Sequence, residues 1–300
     1  QLAAVTLPAV PALILAGAGS GKTRVLTTRI AWLLSTGQVS PGGVLAVTFT
    51  NKAAKEMLTR LTSMLPVNVR GMWIGTFHGL CNRFLRAHWK LAGLPQGFQI
   101  LDASDQVAAV KRVVKAMALD EERFPPKQAA YFISGSKEEG LRPQNIDAPD
   151  PHTAKLIEVY AAYEAQCQRE GVVDFGELML RCYELMRDND PVPEHYRRRF
   201  AHVLVDEFQD TNKLQYKWLQ MFAPPEQPKG VFAVGDDDQS IYAFRGAQVG
   251  NMADFEREYR VPQVIKLEQN YRSYAHILDA ANALIAHNTK RLGKNLRTEA

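Results

Sequence analysis

The sequence predicts an α/β protein, a parallel sheet with crossover helices interrupted by an all-helical insertion. Short apolar runs are each followed by turn residues and then by apolar positions at helical spacing. These runs stop after Leu80 and resume near Arg199, and the stretch between carries helical periodicity alone. With 300 residues the chain can form two compact units, or one domain with a large insertion, at the usual ~100 to 200 residues per domain.

The candidate strands are residues 12–16, 44–48, 72–75, 203–206, 231–234 and 264–267. After the first, Val25, Leu26, Ile30, Leu33 and Leu34 form one apolar helical face; after the second, Ala54, Met57, Leu58 and Leu61 do the same. In the insertion, helices are expected at 82–91, 105–117 and 153–168, the last with the stripe Leu156, Val159, Tyr160, Tyr163 and Cys167. Asp174 followed by Glu177 reads as a capping box opening a further helix. Proline and glycine at 124–126, 140–143 and 149–151 mark turns, and no internal repeat is visible.

Composition is that of a globular protein, 46% hydrophobic and 23% charged, which argues against a disordered tail or a fibre. A net charge of +4 permits a polyanionic partner but is too small to identify one. Cys81, Cys167 and Cys182 have neither zinc-site spacing nor the density of a disulfide scaffold, so reduced thiols in a cytoplasmic protein are expected. No apolar run reaches the ~18 residues of a membrane span, and no membrane partner is expected. A first residue Gln1 in place of Met, and a last motif close to the C-terminus, predict a piece of a longer chain.

The segment Ala16-Gly17-Ala18-Gly19-Ser20-Gly21-Lys22-Thr23 fits the phosphate-binding loop, directly after an apolar strand and at the start of a helix. Its glycines let backbone N–H groups curl around phosphate oxygens, and the helix N-terminus adds positive potential. Lys22 is placed to reach the β and γ phosphates, and the Thr23 hydroxyl to bind Mg²⁺. By chance the four fixed positions would occur in on the order of a few per cent of chains this long, before the strand and helix are required. Such a loop needs a metal-holding carboxylate on a neighbouring strand, and Val203-Leu204-Val205-Asp206-Glu207 supplies one. Asp206 is the expected Mg²⁺ ligand and Glu207 the base for an attacking water, which argues for hydrolysis over transfer to a metabolite.

Five further strings occur in order: Thr48-Phe49-Thr50-Asn51-Lys52-Ala53-Ala54, Gly75-Thr76-Phe77-His78-Gly79, Asp206-Glu207-Phe208-Gln209-Asp210, Gly235-Asp236-Asp237-Asp238-Gln239-Ser240-Ile241-Tyr242 and Gln269-Asn270-Tyr271-Arg272-Ser273. With them the chain resembles superfamily 1 DNA helicases of the UvrD/Rep/PcrA family across nearly its whole length. The insertion shares that resemblance at Gly97–Asp102, Glu139–Pro143 and Val173–Phe175.

The resemblance implies a first RecA-like domain at 1–78 and 200–268, a helical domain at 79–199, and the start of a second RecA-like domain at 269–300. It implies that Gln1 reads the adenine edge and that Arg24 and Tyr271 sandwich the base. Gln239 then senses the γ-phosphate, and Arg272 acts as an arginine finger. For the DNA track it implies Phe49, Tyr242 and Phe244 as stacking aromatics, with Thr50, Asn51, Thr76 and His78 as polar lining. The family often has Trp where Phe244 stands, and Phe offers a smaller stacking face. Arg245 would link the phosphate and DNA sides.

The implied activity is ATP-driven 3′ to 5′ movement on single-stranded DNA, with Mg²⁺, acting at duplex junctions alongside DNA-repair proteins. Without the second lobe the piece is expected to bind nucleotide and not to unwind. Rival readings are the helicase-like subunit of a recombination nuclease, a catalytically silent DNA-binding or docking module, and a metabolic P-loop kinase. The intact loop and Glu207 argue against a silent module, and the aromatic strings argue against a kinase. The basic run Tyr196 to Arg199 reads as a solvated helix face, and His88, His152, His195 and His202 have no metal-ligand spacing.

Overall fold

The computed structural model describes residues 1–227, 229–243, 247–248 and 250–299. The chain divides into two compact units, the first made of Gln1–Leu80, Asp190–Thr211 and Leu219–Ala300, the second of Cys81–Asn189 and Asn212–Trp218. In chain order, α1 (Leu2–Val5) precedes β1 (Ala12–Ala16) and α2 (Lys22–Ser35), and β2 (Val44–Thr48) feeds α3 (Asn51–Met64). Next come β3 (Trp73–Thr76), α4 (Phe77–Ala87), β4 (Gln99–Ile100), α5 (Ala103–Ala116), α6 (Pro126–Glu138), α7 (Pro151–Glu170), β5 (Val172–Val173) and α8 (Phe175–Asp188). The chain continues through α9 (Pro191–Arg199), β6 (His202–Val205), α10 (Lys213–Phe222), β7 (Gly230–Gly235), α11 (Asn251–Glu258), β8 (Val264–Leu267) and α12 (Ala275–Ile285).

In the first unit six strands pair in parallel in the order β3-β2-β6-β7-β1-β8. Every residue of β1, β2, β6 and β7 is buried, which is why they read as unbroken apolar runs and not as alternating ones. Ile14, Leu204 and Phe232 of the sheet share one core with Leu26 and Ile30 of α2 and Met57 and Leu61 of α3. Each such burial contributes roughly 1.5–3 kcal/mol. The buried Arg29 donates to the carbonyls of Val5 and Leu7 at 2.9 and 2.8 Å and lies 4.9 Å from the Phe232 ring, tying the N-terminal segment to the sheet. Burial lowers its pKa to about 10, so the guanidinium stays charged at neutral pH.

The basic run on α9 is bound into the first unit. Arg197 donates to the Met221 carbonyl and Arg199 to that of Gly42, while Arg198 pairs with Glu194. The expected helix at 82–91 begins five residues earlier, at Phe77, because the Thr76 hydroxyl accepts the Gly79 N–H at 3.0 Å and so caps α4.

The second unit is built on α5, α6 and α7, around Val110, Val114, Ile133, Val159, Tyr160 and Tyr163. It also contains strand, which the sequence did not announce: β4 and β5 pair in parallel over two residues each. Asp174 caps α8, accepting the Glu177 N–H at 2.7 Å. The expected return contact of a capping box is diverted, since the Glu177 carboxylate goes to Lys137, Arg142 and Arg181. Arg142 also reaches Glu184 and Glu164. Burial alone would lower the pKa of Lys137, but the Glu177 and Asp174 carboxylates outweigh it and raise the value.

Candidate functional site

The candidate nucleotide residues gather at the carboxyl edge of the parallel sheet, where α/β proteins bind ligands. The loop leaves β1 at Ala16, turns at Ser20, whose hydroxyl donates to the Gly17 carbonyl at 2.6 Å, and enters α2 at Lys22. Gly21 sits at φ 81°, and Gly19 at φ 70°, where a Cβ would stand 2.7 Å from the Asn270 amide nitrogen. Glycine is therefore required at both positions.

Two cavities open beside this loop. One of about 570 Å³ is lined by Lys22, Thr23, Glu207, Gln239 and Arg272, the other, of about 450 Å³, by Gln1 and Tyr271; Gly19, Gly21, Arg24 and Arg272 border both. Gln1 is held against the loop, its amide donating to the Ser20 carbonyl at 2.8 Å. Tyr271 donates its backbone N–H to the Gly19 carbonyl at 3.0 Å while its ring is exposed. Sequence reading missed Glu56 and Arg60 of α3, which also line the larger cavity. Helical spacing made them an ordinary solvent-facing pair, and they do bond each other at 2.5 Å.

The paired acids differ in surroundings. Asp206 is buried, and its pKa is pushed up to about 6 by that burial and by Glu207, with Lys22 opposing. Asp210 rises to about 6 for the same reasons. Glu207 adopts φ 51°, ψ 44°, a left-handed conformation costing a non-glycine residue roughly 1–2 kcal/mol. Its carboxylate bonds Lys22 and the Gln209 amide, both at 2.7 Å. Gln209 in turn accepts the Asp236 N–H at 3.0 Å, and the Asp236 carboxylate accepts from the Gln239 amide. A continuous hydrogen-bonded chain thus joins the P-loop lysine to Gln239.

For Mg²⁺, the available donors are hard oxygens, the Thr23 hydroxyl and the Asp206 carboxylate, which suit that ion. Asp236, Asp237 and Asp238 also lie together, but Lys294 and Arg291 already occupy the Asp236 and Asp238 carboxylates.

The candidate DNA residues follow the ends of β2, β3 and β7. Phe49 meets Phe77 edge-on at 5.3 Å, the Thr50 hydroxyl caps α3 by accepting the Ala53 N–H at 3.1 Å, and Asn51 is exposed. Thr76 is buried, His78 half-buried and Tyr242 38% exposed. Phe244 and Arg245 lie outside the described residues.

A glycine-turned anion cradle, a lysine opening the following helix and two acids ending a neighbouring strand define a P-loop nucleotide-binding protein. Residues 1–260 match the UvrD/REP helicase N-terminal domain family, and the chain belongs to that family. Its six-stranded parallel sheet is the RecA-like core. The chain is 53% identical to DNA helicase II of Salmonella typhimurium and 52% identical to that of Escherichia coli, each over 300 residues, all of this chain and 41% of the relative. It is 43% identical to the ATP-dependent DNA helicase PcrA of Staphylococcus epidermidis over 290 residues, 96% of this chain and 40% of that relative. The chain thus spans about two fifths of the length of these relatives. No helix among the described residues is long and apolar enough to cross a membrane.

Proposed function

We propose that this chain carries the ATP-hydrolysing site and half of the DNA track of a DNA helicase of the helicase II kind. The protein would move 3′ to 5′ on single-stranded DNA, open duplex junctions and serve DNA repair together with other repair proteins, in the cytoplasm at the nucleoid. The domain plan is a first RecA-like domain at 1–78 and 200–268, a helical domain at 79–199 and a second RecA-like domain beginning at 269. The observation that carries the reading is the hydrogen-bonded chain Lys22–Glu207–Gln209–Asp236–Gln239 in a member of a helicase family.

In this reading the backbone N–H groups of residues 16–21 and the Lys22 ammonium bind the phosphates, and Gln1, Arg24 and Tyr271 hold the base. Thr23 and Asp206 would hold Mg²⁺, which neutralises charge on the phosphate oxygens. Glu207 orients a water and takes its proton, Gln239 contacts the γ-phosphate, and Arg272 offsets the negative charge that develops there. Phe49, Tyr242 and Phe244 stack bases, while Thr50, Asn51, Thr76 and His78 donate to or accept from the strand.

The test is ATP turnover by the full-length protein with and without a single-stranded oligonucleotide, together with unwinding of duplexes bearing 3′ or 5′ tails. Stimulation by DNA and a 3′-tail requirement are expected; turnover indifferent to DNA would overturn the reading. Residues 1–300 by themselves are expected to bind nucleotide and leave duplex intact, and robust strand separation by that piece would refute the assignment of movement to the second lobe.

A further inference from the structure

We propose that Lys294 is a positioning residue for Gln239, acting through Asp236 to set how readily Gln239 is released to a nucleotide. The inference rests on the reading of Gln239 as the γ-phosphate contact.

Residues 291–297, part of the first unit, are held in it on several sides. The Asn282 side chain exchanges hydrogen bonds with the backbone of Leu296 at 2.8 and 3.0 Å, and Arg297 bridges the backbones of Glu268 and Asn270 at 2.9 and 2.7 Å. The Leu296 side chain lies over the P-loop, where a Cβ on Gly17 would come within 2.0 Å of it. From this strap Lys294 reaches inward with a side chain only 2% exposed, and its ammonium bonds one oxygen of Asp236 as well as Asp238 at 2.6 Å. Arg291 bonds Asp238 through two nitrogens at 2.9 and 2.6 Å and the Lys294 carbonyl at 2.7 Å.

The buried Asp236 carboxylate therefore divides its oxygens. Oδ1 takes Lys294 and the Asp238 N–H, and Oδ2 takes the Gln239 amide. For Gln239 to turn to a phosphate, Oδ2 has to release it. A hydrogen bond to an ionised carboxylate is roughly twice as strong as one between neutral groups, so the charge left on Asp236 sets the grip. Lys294 offsets that charge by direct contact. Without it, a buried anion would keep Gln239 as its remaining side-chain donor and hold it away from the nucleotide.

The experiment is steady-state ATP turnover by the full-length protein with Mg²⁺ and an oligo-dT strand, paired with titration of a fluorescent, non-hydrolysable ATP analogue. Lys294→Met is expected to lower kcat ~10- to 100-fold while the analogue Kd and the KM for ATP stay within ~3-fold, and Lys294→Arg is expected to stay within ~3-fold of the parent. Arg291→Gln removes the bonds to Asp238 and to the Lys294 carbonyl but leaves the Lys294 ammonium on Asp236, and is expected to cost less than ~3-fold. In an Asp236→Asn background, where the anion is gone and the fold carries no unpaired charge, Lys294→Met is expected to change kcat less than ~3-fold. An unchanged kcat in Lys294→Met, an equal loss in Arg291→Gln, or an undiminished loss in the Asp236→Asn background each overturns the proposal. A parent protein that does not turn over ATP would instead refute the proposed function on which it stands.

Discussion

Lys22 Nζ lies 2.7 Å from Glu207 Oε2, so the side chain read as the phosphate anchor and the one read as the base hold each other directly. A nucleotide has to compete with Glu207 for Lys22, and the left-handed backbone at Glu207 fixes where that carboxylate waits. Glu207→Gln removes the proposed proton acceptor and weakens the hold on Lys22 at once. Hydrolysis is expected to fall on the order of 10² to 10⁴ while nucleotide affinity is kept or improved. Single-turnover kinetics with an analogue titration check this, and near-normal turnover would remove Glu207 from the base role.

Tyr271 presents a ring that is 69% exposed at the edge of the smaller cavity, with Arg24 on the same cavity's wall. A flat base between a ring and a guanidinium gains on the order of 1–2 kcal/mol, so Tyr271→Ala is expected to weaken ATP binding about 5- to 30-fold and Tyr271→Phe less than about 2-fold. Equal affinity of the Ala variant in a fluorescence titration would show that the base lies elsewhere.

His202, buried on β6, has its pKa lowered to about 4 by burial first and then by Arg29 and Lys229. Unfolding restores it to the ordinary value near 6.5, so between those limits the unfolded chain takes up a proton that the folded chain refuses. Its contribution to stability is full above pH 6.5 and is lost as pH falls through 4, by up to about 3 kcal/mol. Urea melts of the parent and of His202→Gln across pH 4–8 are expected to show a shallower acid slope for the variant; parallel slopes would refute the assignment.

Arg142 is the hub of the second unit, its guanidinium 13% exposed and bonded to Glu177, Glu184 and Glu164. Arg142→Met leaves the buried Glu177 carboxylate facing the half-buried Glu164 and Glu184 and is expected to destabilise that unit by about 3–5 kcal/mol. Denaturant unfolding followed by hydrogen exchange within residues 81–189 reads it out, and a loss below about 1 kcal/mol would mean that Lys137 and Arg181 suffice.

What the sequence revealed depended on whether the cause was local. The strand ending at Ala16 is five buried residues, and the cradle after it is a pattern of backbone freedom, so both are written in neighbouring letters. Asp206 and Glu207 follow from the same logic on β6. The partners of Asp236 are separated from it by 27 residues at Gln209 and 58 at Lys294, and nothing in hydrophobic period or turn chemistry links letters that far apart. The Arg142 hub was hidden for the same reason, its carboxylates lying 22, 35 and 42 residues away. The β4–β5 pair is too short to produce an alternation. On α12 apolar residues recur at helical spacing, but only Leu278 is buried, and Ile277 and Leu284 are exposed.

The helix α3 runs from the Thr50 cap past Glu56 and Arg60, and its first turn belongs to the proposed DNA side while its second and third border the larger cavity. From Thr50 to Arg60 is ten residues, a rigid rod of about 15 Å. Thr50 uses its oxygen to accept from Ala53, which leaves its proton available to a passing strand. A tug on a strand and a tug on a phosphate would therefore be applied to one lever. Bending that lever by inserting a glycine pair between Asn51 and Glu56 would be felt as slippage, fuel consumed without travel, with both grips still able to close.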